Sequence, residues 1–142
     1  MRSRVILLLS VAAALAVPGF ATGASSGTVL HAKLTGKAEA PGPGDTDGRA
    51  KVKITLKKSA GKVCWRFRGI RNISEPAAAH IHAGAKGVPG PVTVPLGGAF
   101  AKKGCTPADK SVIATIAAHP RRFYVNIHTS DFPDGAIRGQ LK

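Results

Sequence analysis

The chain has 142 residues, with 21 Lys and Arg against 7 Asp and Glu, for a formal net charge of +14 with neutral histidines. That length supports one domain with a modest core. The charge attracts anionic polymers and surfaces in a salt-dependent way, but five Phe, one Trp and one Tyr leave few rings for bases to stack on, and no nucleic-acid motif is present, which argues against specific nucleic-acid recognition.

Met1-Arg2-Ser3-Arg4 is a short cationic start, followed by an apolar run from Val5 to Val17 broken only by Ser10. The run is about a dozen residues, short of the roughly 20 needed to span a bilayer, and Pro18-Gly19 and small residues follow it. It reads as a secretory signal peptide over residues 1–24, cleaved after Ala21 or Ala24. The mature chain, residues 25–142, then holds 19 basic and 7 acidic residues, or +12. It is expected in the periplasm, the cell envelope or outside the cell, without stable membrane insertion. Cys64 and Cys105 are the only cysteines, and an even count in an oxidising compartment predicts a disulfide.

Past the leader, Val29, His31, Lys33 and Thr35 alternate with Leu30, Ala32 and Leu34 in a first strand. Ala40 to Gly48 is a turn, because its prolines and glycines cannot sit inside a regular element. Lys51, Lys53, Thr55 and Lys57 oppose Val52, Ile54 and Leu56 in a half-buried strand with a basic outer face. After Lys58 to Gly61, the strand Lys62 to Gly69 sends Val63, Trp65 and Phe67 inward and Cys64, Arg66 and Arg68 outward, completing a hairpin.

Ala79 to Ala83 forms a short strand, Gly84 to Gly90 a glycine-rich loop and Pro91 to Leu96 another strand. Gly97 to Pro107 reads as loop carrying Cys105. Asp109 to Ala118 is the one helical candidate, capped by Asp109 or Ser111 and ended by Pro120, with a strand as the alternative for this segment. Arg121 to Thr129 and Ala136 to Leu141 are strands joined by the tight turn Ser130 to Gly135. Six to eight short strands with at most one helix predict an all-β, antiparallel Greek-key sandwich.

Two of these strands carry chemistry. Side chains at i and i+2 share a face, so His80 and His82 project together, away from Ile81. Tyr124, Asn126 and His128 likewise oppose Phe123, Val125 and Ile127. If the strands neighbour each other, His80, His82 and His128 converge on one patch of surface, a ligand set for copper or zinc. Alternatively, these rings hydrogen-bond loops and pin the sheet. His31 is a weaker fourth candidate. Tyr124 and Asn126 stand ready to orient a ligand, and Arg138 either pairs with Asp131 or Asp134 or draws an anion toward the histidines. No catalytic constellation is evident: Ser130 near His128 and Asp131 has no oxyanion-hole motif beside it.

Ala79-His80-Ile81-His82-Ala83-Gly84 with Gly87 and Gly90-Pro91-Val92, then Phe123 to Thr129, Pro133, Gly135 and Ile137-Arg138-Gly139-Gln140-Leu141, resemble the CHRD domain, the module named after chordin. The likeness runs back through Glu39-Ala40-Pro41 and covers Thr28 to Leu141. Ala136 departs from it, since many members have glutamate there. The resemblance implies an extracellular β-sandwich module. A fainter similarity, to copper/zinc superoxide dismutases, would match His80, His82 and His128 to copper ligands and Arg138 to an anion-guiding arginine. It stops there, because the loop from Ala83 to Pro91 offers no residues for a zinc subsite. Two functions follow as expectations: a secreted, non-catalytic module binding an anionic extracellular polymer or a protein, or a copper- or zinc-binding protein.

Overall fold

The computed structural model describes residues 27–142, so the leader expected over residues 1–24 lies outside the described residues. Eight strands form one antiparallel sheet: β1 Thr28–Thr35, β2 Arg49–Lys57, β3 Lys62–Arg71, β4 Pro76–Ala83, β5 Val92–Pro95, β6 Lys103–Pro107, β7 Phe123–Thr129 and β8 Ile137–Gln140. Their spatial order is β5-β4-β7-β8-β1-β2-β3-β6. The all-β antiparallel class is as the sequence predicts, with the strands joined in a single, nearly closed sheet.

Alternation builds the interior. Leu30, Ala32 and Leu34 of β1, Val52, Ile54 and Leu56 of β2, and Val63, Trp65 and Phe67 of β3 are buried in one cluster with Ile81, Val125, Ile127 and Ile137. Each large side chain so buried contributes roughly 1.5 to 3 kcal/mol. The segment between β5 and β6 bridges the open side of the sheet. Leu96 and Phe100 donate backbone bonds to Ala79 and Ala77 of β4, while Lys102 accepts one from Phe67 of β3.

The helix α1, Lys110–Ala118, forms where the 3.6-residue spacing predicts it, with Asp109 at its N-cap position but no side-chain capping bond. It buries Ile113 and Ile116 in the core. Pro120 ends it in a short 3-10 turn, Pro120–Arg122, that leads into β7.

One expectation fails. Lys103–Pro107 is a strand, where the sequence reads as loop. The segment has no run of branched apolar residues, and Gly104 breaks the pattern because a side chain there would press on the Trp65 indole. Tertiary partners make the strand: β3 pairs with it in register, and Cys64 faces Cys105 across that ladder in a disulfide.

Candidate metal centre

β4 and β7 are neighbours in the sheet, with His80 opposite Asn126, His82 opposite Tyr124 and Ala78 opposite His128. Directly opposed residues share a face, so all three histidines stand on the side away from the core. The small side chain of Ala78 leaves room for His128 to lean diagonally toward His80. The Nδ1 of His80 lies 3.0 Å from Nε2 of His128. One nitrogen from each of the three rings falls within 4.8 Å of the others. A tetrahedral ion with bonds of about 2.0 to 2.1 Å sets its ligand nitrogens about 3.3 Å apart, a value these distances bracket.

The patch is covered rather than open, which corrects the expectation of a surface site. His82 is buried, and His80 and His128 are half-buried. The cover is the loop from Gly84 to Gly90. Arg138 of β8, itself 1% exposed, holds that loop by donating from Nη2 to the carbonyls of Ala85 at 2.8 Å and Val88 at 2.9 Å. Its guanidinium also lies over the Tyr124 ring, which stacks nearly parallel on His82. Gln140 adds a bond to the Gly84 carbonyl at 2.6 Å.

Two of the rings have their tautomer set by backbone carbonyls. His82 Nδ1 faces Gly90 O at 2.9 Å, and His128 Nδ1 faces Pro133 O at 2.8 Å. A carbonyl only accepts, so each Nδ1 carries the hydrogen and each neutral ring presents a lone pair at Nε2. For His82 that Nε2 is buried and has no hydrogen-bond partner. Burial lowers the pKa of His80 to about 4, with the nearby His128 and His82 adding to the effect. Burial is also the main cause lowering that of His82, with the Gly90 carbonyl and the Asn126 side chain offsetting only part of it. Neutral imidazoles are the form that binds a metal.

Tyr124 stacks on His82, and its hydroxyl oxygen accepts from the Gly90 N–H at 3.3 Å. Asn126 is buried between β4 and β8 with its side chain beside the His82 ring, where it favours the protonated form, although its Oδ1 makes no hydrogen bond of good geometry. Arg138 does not pair with Asp131 or Asp134. Its acidic neighbour is Glu39, whose pKa burial raises to about 7, partly countered by Arg138. Glu39 lines a 240 Å³ cleft together with the turn Asp131 to Gly135, whose Pro133 carbonyl holds His128.

His31 stands outside the cluster, on the outer side of β1 opposite Lys53. The carbonyls of Gly90 and Pro133 were not legible as ring acceptors, although both residues belong to the motifs that carry the family resemblance. Side-chain types reveal ligands, but backbone acceptors show only once loops are placed.

The CHRD domain family model matches residues 30–141. No curated protein and no solved structure matches the chain.

Proposed function

The chain belongs to the CHRD domain family, and from that premise we propose an exported, non-catalytic binding module that holds one copper ion, or zinc less tightly, between His80, His82 and His128. The observation carrying this reading is the buried, unpartnered Nε2 of His82 beside two further ring nitrogens. A lone pair left unsatisfied in the interior is costly, and an ion would satisfy it.

The metal preference follows from the ligands. Three neutral imidazoles without carboxylate or thiolate suit copper best among the divalent first-row ions. In this reading His80 binds through Nδ1, and His82 and His128 through Nε2. Binding asks of His80 only that its hydrogen sit on Nε2. The cover loop contributes no histidine or acid, which supports holding an ion over two-metal chemistry. Export is supported by the Cys64–Cys105 disulfide and by the apolar leader. Among the described residues no helix is long and apolar enough to cross a membrane.

The test is metal analysis of the exported protein purified without a histidine tag, beside His82→Ala and His128→Ala. One copper per chain in the parent, with nitrogen couplings in its paramagnetic resonance spectrum, and loss in both variants is expected. Stoichiometric copper unchanged in His82→Ala would overturn the proposal. N-terminal sequencing of exported protein should begin at Thr22 or Ser25.

A further inference from the structure

The opposite end of the sheet carries a surface that the histidine site does not use. His31, Lys53, Arg66 and Lys103 lie directly across from one another on β1, β2, β3 and β6. Lys142 extends this row, since it exchanges both backbone hydrogen bonds with His31. All five side chains are exposed. A second row beside it runs Lys33, Lys51 and Arg68, and Arg49 faces Arg71 in a third. Neighbouring strands are about 4.8 Å apart, so anything lying across them meets a cation at nearly every strand.

This arrangement works against the fold. Six pairs of like charges stand directly opposite each other: Lys33 and Lys51, Lys51 and Arg68, Lys53 and Arg66, Arg66 and Lys103, Lys57 and Lys62, and Arg49 and Arg71. Such pairs are destabilising. None of the seven acidic residues lies on these strands to relieve them. Three depressions of 480, 580 and 600 Å³ cross the face. The middle one shares Lys51 and Arg68 with one neighbour and Lys53 and Arg66 with the other, making a continuous track that runs along β2 and β3 from Arg49 and Arg71 to Lys57 and meets the rows in turn.

We propose that this face binds a linear acidic polysaccharide, a polymer of uronate-type sugars laid along the track over β2 and β3, past Lys51 and Arg68, then Lys53 and Arg66, and on to Lys57. Charge complementarity selects a polyanion, and the track selects an extended one. The only aromatic residues on these strands, Trp65 and Phe67, are buried in the core. Bases therefore find only the His31 imidazole to stack on, which disfavours single-stranded nucleic acid. A lipid surface would find Val29 as the sole large apolar side chain exposed on these strands.

Binding of the exported protein to a defined-length oligogalacturonate, to its neutral methyl ester, to a thymidine oligonucleotide and to phosphatidylglycerol vesicles tests this. The acid form should bind and the ester should not. Lys53→Gln/Arg66→Gln should weaken binding at least about tenfold at low salt, while Lys110→Gln/Arg121→Gln, which removes the same charge elsewhere, should change it by less than about twofold. Thermal unfolding confirms that both variants are folded. Equal losses in the two variants would reduce the effect to net charge and overturn the proposal. So would tighter binding to the oligonucleotide or the vesicles than to the sugar polymer, or no binding to the acid form.

Discussion

The guanidinium carbon of Arg138 lies 3.3 Å from the centre of the Tyr124 ring. Tyr124 stacks on His82 with centroids 4.8 Å apart, so Arg138, Tyr124 and His82 form one connected unit that also carries the cover loop. A cation over a ring face and two charge-assisted bonds to carbonyls make Arg138 a structural clamp.

Arg138→Ala should therefore destabilise the protein by about 2 to 4 kcal/mol, because it empties a buried position and takes the donor from two carbonyls of the cover loop. Urea unfolding measures this. Tyr124→Phe keeps the stacked ring and loses the hydroxyl's long contacts to Gly90, accepting from its N–H and donating to its carbonyl, so it should cost about 1 kcal/mol. Equal losses in the two variants would show that the clamp does not run through Arg138.

Gly90 is the position at which the cover loop touches His82. A Cβ there would strike the Ala83 carbonyl oxygen, so the loop must shift and carry the Gly90 carbonyl off His82 Nδ1. Losing the partner that orients a ligating ring typically weakens a metal site about 10- to 100-fold, and Gly90→Ala should do so in a competitive copper titration. Affinity unchanged by Gly90→Ala would detach the loop from the site.

The Cys64–Cys105 bond closes a separation of 41 residues. Its removal in Cys64→Ser/Cys105→Ser should cost about 3 to 4 kcal/mol on the chain-entropy account. Thiol titration of the denatured, non-reduced protein should find no free cysteine. Two titrating thiols would refute the bond.

Glu39 gives the fold a pH dependence of a definite sign. Its folded pKa of about 7 exceeds the ordinary 4.5, so between these values the folded state holds the proton more tightly than the unfolded one. The stabilisation is complete below pH 4.5 and is lost as pH rises through 7. Glu39→Gln mimics the protonated form and should gain roughly 1 to 2 kcal/mol on the parent between pH 4 and pH 8, a value reduced because the carboxyl is only half-buried. Denaturant midpoints of both proteins across that range provide the measurement, and parallel curves would remove Glu39 from the account.

Much was legible beforehand because strand parity is a local property. The faces of His80, His82 and His128 follow from alternation with Ile81 and Ile127, and the basic side of β2 follows from its lysines in the same way. β6 was not legible, since Gly104 and Cys105 become a strand only through β3. Neither was the clamp: Arg138 has acidic residues near it in sequence, yet its partners are Tyr124 across the sheet and two carbonyls fifty or more positions away.

By itself, the sequence determined which side chains point together, because the two-residue period of a strand needs no partner. Only the tertiary structure decided which strands lie side by side, and so which shared faces meet. β4 beside β7 turns separate histidines into one cluster, and β1, β2, β3 and β6 in succession turn scattered lysines and arginines into rows. The physical reason is that pairing and loop closure are set by long-range packing of the core and by backbone hydrogen bonds, neither of which a local pattern of residues encodes.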